Sequence, residues 1–323
     1  MIRTIRDEFR AMNTDVEVTL RCDVTGEDDK PLIEIRDWFR FVEDRFSRFR
    51  DNSELSRLNG SRGFPTSVSS AMLEVLSHAE EYRRLTNGIY DPCILLALER
   101  SGYSVSFESV GAAAGAIDDA HPIHGDRLGW TTFPLFRLAR LSRGARLDLG
   151  GLVKGWAVDR IAAMLSASGI PSGHLNAGGD LRVWGWGQAG LPDWQVDIAP
   201  PCPFSEEEEP AILATAILGQ GSAATSGTTR RSWMSADGGK HHLIDPRTGV
   251  PAISDVVQCT VVGSSTADAE IAAKTVCILG SGEGEAWVKE TFPGYDVLMA
   301  LDNGTTKLLR GIGSSVRWKE AAS

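Results

Sequence analysis

The fold is decided by the reading of Leu147-Asp-Leu-Gly-Gly-Leu-Val-Lys-Gly-Trp-Ala-Val-Asp159. Two adjacent glycines precede a helix expected to run to about Ser168. Backbone N–H groups at such a helix start can approach an anion closely, and Lys154 adds a point charge one turn in. The same residues would also make a plain glycine turn with an exposed lysine. Of the 33 basic residues only seven are Lys, so a lysine in a patterned setting is informative.

Strand-like pieces follow this helix at His174–Asn176, Leu181–Trp184, Gln195–Ala199, Ile212–Leu218 and Val256–Val262. A helix is then expected over Asp268–Leu279, and Val297–Leu301 with Lys307–Leu309 reads as a closing hairpin. Upstream, residues 12–22 alternate as a strand. Leu32, Ile35, Phe39, Val42 and Phe46 recur at helical spacing within Pro31–Phe49. Further helices are expected over Ser69–Leu85, ending at Asn87-Gly88, and from Ile94 to near Gly102. Residues 103–146 are less regular, with a weak strand at Leu135–Leu141. Helices and strands mix without a βαβ repeat, which predicts an α+β fold of two lobes meeting near 103–140, within one domain of residues 1–323.

The chain has 323 residues, with 33 Lys+Arg against 43 Asp+Glu, a formal net charge of −10. That balance disfavours general binding to nucleic acid or anionic membranes. No apolar stretch long enough for an export signal precedes Cys22, and none reaches membrane-span length, so no membrane anchor is expected and a cytoplasmic location follows. The five cysteines (Cys22, Cys93, Cys202, Cys259, Cys277) are widely spaced and read as reduced buried thiols.

Three motifs are decoys. Gly185-Trp-Gly-Gln-Ala-Gly190 fits a dinucleotide fingerprint literally, but Leu191-Pro-Asp193 forbids a helix at its end. His121-Pro-Ile-His124 lacks further metal ligands at suitable spacing. Gly239-Lys-His241 lacks the hydroxyl residue of a phosphate loop and reads as a turn. Pro200–Pro210 reads as a solvated loop.

Besides the opening stretch, three segments concentrate polar chemistry. Asn176-Ala-Gly-Gly-Asp-Leu-Arg182 puts Asp180 at a strand-to-strand turn. Ala224-Thr-Ser-Gly-Thr-Thr-Arg-Arg231 sets hydroxyls and arginines around one glycine. His241-His-Leu-Ile-Asp-Pro-Arg-Thr-Gly249 supplies imidazole, carboxylate and guanidinium within nine residues, and His is the side chain best poised as a base near neutral pH. Together the four point to a polyanionic ligand and acid–base chemistry.

These segments resemble the FAD:protein FMN transferase (ApbE) family. Ala11-Met-Asn-Thr14, the Phe46-Ser-Arg-Phe49 and Ser53-Glu-Leu-Ser-Arg-Leu-Asn59 block, and Gly88-Ile-Tyr-Asp-Pro92 are similar to further family motifs, and all occur in the family's order. The resemblance implies an α+β fold with FAD held in a cleft between lobes. It also implies cleavage of FAD, transfer of FMN to a Thr or Ser hydroxyl of a target flavoprotein, and release of AMP. By motif, Met12, Asp91, Asp148, Lys154 and Thr225 would lie around FAD. His242 would be the catalytic base, with Asp245 beside it in the motif. The acceptor motif resembles D-x-x-[ST]-G-[AV]-[ST]. Asp245-Pro-Arg-Thr-Gly-Val-Pro251 approaches it but lacks the last hydroxyl, so the acceptor would be another protein. The alternatives are an FAD pyrophosphatase and a non-catalytic FAD-binding protein.

One departure bears on the metal. The family's A-D-A-L-A-T-A holds Mg²⁺ through Asp and Thr, whereas this chain reads Ala267-Asp-Ala-Glu-Ile-Ala-Ala-Lys274. Keeping the helix length puts Glu270 at the Asp position and Lys274 at the Thr position; aligning on Asp268 puts Ala272 at the latter. The A-E-x-x-A-K form resembles members from high-GC Gram-positive bacteria. Mg²⁺ is therefore doubtful here. Either Lys274 supplies part of the metal's charge, held by Glu270, or the two form an exposed helix pair of about 0.3–0.5 kcal/mol.

Overall fold

The computed structural model describes residues 3–22, 29–105, 129–185, 193–201, 211–235 and 238–320. The chain divides into two compact units. The first comprises Met1–Phe39, Lys154–Arg230 and Asp255–Ser323; the second comprises Arg40–Val153 and Arg231–Ser254.

The first unit is built on an eight-stranded sheet in the order Arg3–Ala11, Thr14–Cys22, Ser172–Ala177, Asp180–Trp184, Gly221–Gly227, Val256–Gly263, Asp296–Leu301, Thr306–Leu309. Every pairing is antiparallel. Val16, Val18 and Leu20 are buried on one face of their strand while Asp15 and Glu17 point outward, the alternation of a half-buried strand. The edge strand Arg3–Ala11 was not anticipated. Its charged residues hide its period, and they suit an edge, where charge deters pairing with another chain. It turns back through Met12 and Asn13, whose φ values of 53° and 58° make a two-residue hairpin turn with left-handed backbone at both positions.

Two helices of this unit carry the site. Val153–Ala167 includes Lys154, and Thr266–Thr291 packs on the strands Gly221–Gly227 and Val256–Gly263. The latter helix breaks at Gly280 (φ 83°, ψ 174°), one residue past the expected end. It restarts because Asp255 accepts the Ser281 N–H at 2.8 Å, a cap supplied from outside the helix. A smaller sheet of Trp194–Ile198, Ala214–Leu218 and Arg317–Glu320 covers Leu181, Val183, Ala223 and Val262 with Val196, Ala216 and Leu218.

The second unit contains the helices Glu54–Asn59, Ser70–Leu85 and Leu95–Arg100. Ser53 and Ser69 cap the first two by accepting the N–H groups of Ser56 and Met72. Asn59 bonds both ways to the Leu147 backbone, at 2.9 and 2.8 Å, and so fixes the start of the Leu147–Asp159 stretch. A three-stranded sheet of Thr66–Ser67, Leu138–Leu141 and Trp130–Phe133, and two short hairpins around His241–His242, complete the unit. Gly239-Lys-His241 belongs to a strand, Gly238–His241, and not to a turn; Lys240 pairs with Trp233. Within 103–140, residues 106–128, with His121 and His124, lie outside the described residues, as do most of Gly185–Gly190 and 202–210 of the Pro-flanked loop.

In the first unit the Val153–Ala167 and Thr266–Thr291 helices touch at Gly155. A Cβ there would stand 2.8 Å from Ala267 Cα and 2.9 Å from the Thr266 carbonyl oxygen, both backbone atoms that cannot turn aside. Gly155→Ala therefore costs about 1–3 kcal/mol despite alanine's better helix propensity. Urea denaturation that found the variant as stable as the parent would refute this packing.

Candidate functional site

Strand register brings part of the site together. Ala177 pairs with Asp180 around Gly178 and Gly179, both at positive φ, and Ala177 also pairs with Val16. A Cβ on Gly178 would overlap Thr14 Oγ1, so the Gly178-Gly179 turn and the Met12-Asn13 turn lie side by side. Ala223 pairs with Leu181, which carries Thr225 toward the same sheet end; its hydroxyl is 2.8 Å from that of Thr260 on the next strand.

Beneath this end lies a buried charge cluster. Lys154 Nζ donates to Asp180 Oδ2 and stands 3.9 Å from Glu270 Oε1. Lys274 Nζ is 3.8 Å from the same Glu270 oxygen. The other oxygen, Oε2, accepts the Gly155 N–H at 3.0 Å. Gly155 is the third residue of its helix, where an N–H has no partner within the helix, so Glu270 acts as a cap reaching in from another helix. Asp180 and Glu270 are 2% and 3% exposed. Lys274 and Glu270 are thus a buried pair, not the exposed pair left open by sequence. Burial raises the Glu270 pKa, Asp180 adds to the rise, and Lys154, Lys274 and the Gly155 N–H oppose it.

Asp159, at the end of the opening stretch, had no role assigned from sequence. It accepts the N–H groups of Thr266 (2.9 Å) and Ala267 (3.1 Å) and the hydroxyls of Ser265 and Thr266 (both 2.9 Å), and it pairs with Arg182 at 2.8 Å. It thereby sets the position of the helix that carries Glu270 and Lys274. Its place in the same motif as Lys154 was the available signal.

In the second unit, Asp91 is buried. Its Oδ1 accepts the Cys93 N–H at 2.9 Å and its Oδ2 lies 3.0 Å from Arg83. Burial, chiefly, pushes the Cys93 thiol pKa far up, so it is a packed thiol and not a nucleophile. Asp148 is joined to this loop, since its N–H donates to the Pro92 carbonyl at 2.8 Å. Its carboxylate pairs with Arg48 at 2.6 Å and accepts the Gly150 N–H at 2.8 Å. The Arg48 guanidinium lies over the Phe49 and Tyr103 rings. A cavity of about 390 Å³ in this unit is lined by Arg83, Glu80, Trp130 and Thr132 and by none of the motif carboxylates.

The two histidines differ. His241 Nε2 lies 3.0 Å from the Ala252 carbonyl oxygen, and burial lowers its pKa. The half-buried His242 has its ring Nδ1 3.4 Å from the Arg231 carbonyl oxygen. Asp245 is held by a two-pronged pair with Arg247 (2.8 and 3.0 Å) and by the Arg247 N–H (2.9 Å). That arrangement stiffens the loop after His242.

The cluster does not suit the family's metal. Glu270 Oε2 accepts the Gly155 N–H, and its Oε1 lies 3.9 and 3.8 Å from the Lys154 and Lys274 ammonium groups. Two unit positive charges about 4 Å apart repel by about 4 kcal/mol at an effective dielectric near 20, and a divalent ion doubles this. On the other alignment Asp268 accepts the Tyr295 hydroxyl at 2.8 Å, and Ala272 has no donor atom. Among the described residues no three His, Cys, Asp or Glu side chains are grouped to hold a metal ion.

An antiparallel α+β architecture with motif residues gathered at turns and helix starts defines a class already known. The ApbE family model matches residues 12–299, and the chain belongs to that family. It is 27% identical over 292 residues to the FAD:protein FMN transferase of Treponema pallidum, covering 84% of this chain and 77% of that one. It is 29% identical over 256 residues to the transferase of the same name from Vibrio cholerae, covering 76% and 72%. The crystal structure of the Thermotoga maritima ApbE protein superposes with a TM-score of 0.81 at 20% identity, covering 97% and 98%. Flavin transferase ApbE from Vibrio cholerae superposes at 0.75 and 25%, covering 96% and 98%.

His241 gives a pH signature. Its folded pKa lies below the ordinary 6.5, so below about pH 6.5 the unfolded chain takes up a proton that the folded chain refuses. Stability is full above that pH and falls on acidification. His174, buried and shifted the same way, adds to the slope. His241→Asn should shrink the stability difference between pH 7.5 and 5.5 measured by denaturant titration. An unchanged difference would show that His241 is not buried as a neutral ring.

Proposed function

We propose that this chain is an FAD:protein FMN transferase. The reading is carried by the family match across residues 12–299. It is supported by the assembly of Met12, Asp180 and Thr225 at one sheet end over Lys154 within the first unit. In the reaction, an acceptor Thr or Ser hydroxyl oxygen bonds to the FMN phosphorus of FAD, the pyrophosphate P–O bond breaks, and AMP leaves. His242 takes the hydroxyl proton, without which the alcohol is a poor nucleophile. By motif, Met12, Asp91, Asp148, Lys154 and Thr225 serve FAD.

The two carboxylates act through the loops they hold, since each is paired with an arginine. Asp245 is a positioning residue for the His242 loop. Lys274 contributes charge toward the transferring phosphoryl group. The acceptor is a flavoprotein carrying a D-x-x-[ST]-G-[AV]-[ST] segment. The A-E-x-x-A-K form aligns the chain with members resembling those of high-GC Gram-positive bacteria. A cytoplasmic site of action fits Cys22, Cys93, Cys259 and Cys277, which are all buried thiols outside any disulfide. No helix among the described residues is long and apolar enough to cross a membrane.

Incubation with FAD and an acceptor flavoprotein should yield AMP and a mass increase of one FMN on the acceptor. AMP without an acceptor would make the chain a pyrophosphatase, and no AMP in either case a binding protein. His242→Ala should lower the transfer rate by about 10²–10⁴ while FAD still binds. Undiminished transfer would refute the base.

A further inference from the structure

We infer that Lys274 is the resident cation of this active site and that the chain binds no Mg²⁺ at the position the family uses. The inference rests on the transferase reading only for where that position lies; the cluster itself is read from the structure. Three observations carry it.

Glu270, the one carboxylate at that position, is already committed. Its Oε2 completes the start of the Val153–Ala167 helix through the Gly155 N–H, and its Oε1 lies between two ammonium groups at 3.8 and 3.9 Å. Asp180, the second carboxylate of the cluster, takes the Lys154 ammonium. Two lysines and two carboxylates therefore balance one another inside the first unit, with the Lys154 and Lys274 side chains only 11% and 15% exposed. Mg²⁺ demands near-octahedral oxygen ligands and sheds its water reluctantly, and this arrangement offers it ammonium groups instead.

The Glu270–Lys274 spacing of one helical turn also means that the cation is delivered by the same helix that Asp159 fixes in place. The ammonium thus sits where the fold puts it, independent of metal concentration. In the proposed reaction it remains a fixed charge: no bond to it forms or breaks.

The test is calorimetric titration of the full chain with magnesium chloride, without FAD or acceptor, alongside Lys274→Thr and the double variant Glu270→Gln/Lys274→Thr. The parent should give no binding heat at millimolar Mg²⁺. Lys274→Thr supplies a hydroxyl and removes one of the two ammonium groups beside Glu270 Oε1, leaving Lys154 to Asp180, so it should bind Mg²⁺ and gain at least about 3 °C in Tm in its presence. The double variant should lose both effects.

One-to-one Mg²⁺ binding by the parent would overturn the inference, as would a folded Lys274→Thr that binds none. Circular dichroism establishes which variants are folded. If Lys274→Thr does not fold, the parent titration decides alone. Transfer by the parent should be unchanged in excess chelator, and a chelator-dependent loss restored by Mg²⁺ would also overturn it. The binding arms need neither substrate, so a failed transferase assay leaves them intact.

Discussion

The Gly155 N–H and the Glu270 carboxylate form the contact on which the site depends. A helix that opens at Val153 exposes N–H groups that need acceptors, and a buried one left unmet would cost about 1–3 kcal/mol. Glu270 meets that need, but only because Gly155 lets the second helix come within backbone contact. A carboxylate brought into the interior must then be balanced, and Lys154 and Lys274 do so from two directions. Losing one partner of such a buried set would cost about 3–5 kcal/mol, so glycine, glutamate and both lysines constrain one another.

The same logic places the remaining groups at turns. Met12 holds a left-handed φ of 53°, a conformation that a long side chain adopts only when its surroundings fix it. The hairpin fixes it: the strands Arg3–Ala11 and Thr14–Cys22 are paired along their whole length, and a two-residue turn between them leaves no other backbone solution. Gly178 is excluded from bearing a side chain by Thr14, which ties this turn to that of Asp180. Residues far apart in sequence are thus set by sheet register, and flexible loops are not required to carry them.

Much of this was legible in the residues. Lys154, Asp148, Thr225 and His242 stood in segments whose glycines and charges made no sense as core, while Asp91 was singled out only through the family resemblance. The helix Lys30–Phe46 was read over Pro31–Phe49 from apolar spacing, and Ser70–Leu85 was read over Ser69–Leu85 with its stop at Asn87-Gly88. What escaped was whatever a distant partner decides. The strand Gly221–Gly227 is small and polar, and it is a strand because Val256–Gly263 and Asp180–Trp184 flank it. The helix beyond Gly280 restarts on a carboxylate from Asp255, which no local pattern announces. Asp159 had no role assigned until the structure showed the start of the other helix bonded to it. Whether Glu270 and Lys274 faced water or the interior was equally beyond a periodicity argument, because Ala267, Ala269, Ala272 and Ala273 mark no apolar stripe.

A covalently attached ammonium and a bound Mg²⁺ solve the same electrostatic problem with different consequences. The metal brings two charges and open coordination positions, but its occupancy follows its concentration and it requires anionic oxygen ligands free of other partners. The ammonium brings one charge, is present whenever the chain is folded, and can share its counter-ion with a helix start. Glu270 could not serve Mg²⁺ through Oε1 while Lys154 and Lys274 flank that oxygen. It meets the Gly155 N–H through Oε2 while both lysine ammonium groups stand within ion-pair distance of Oε1. An ammonium on the same helix therefore does more than add charge: it leaves Glu270 a carboxylate whose partners are supplied by the fold. A chain whose net charge is −10 still concentrates two of its seven lysines here, around one buried oxygen.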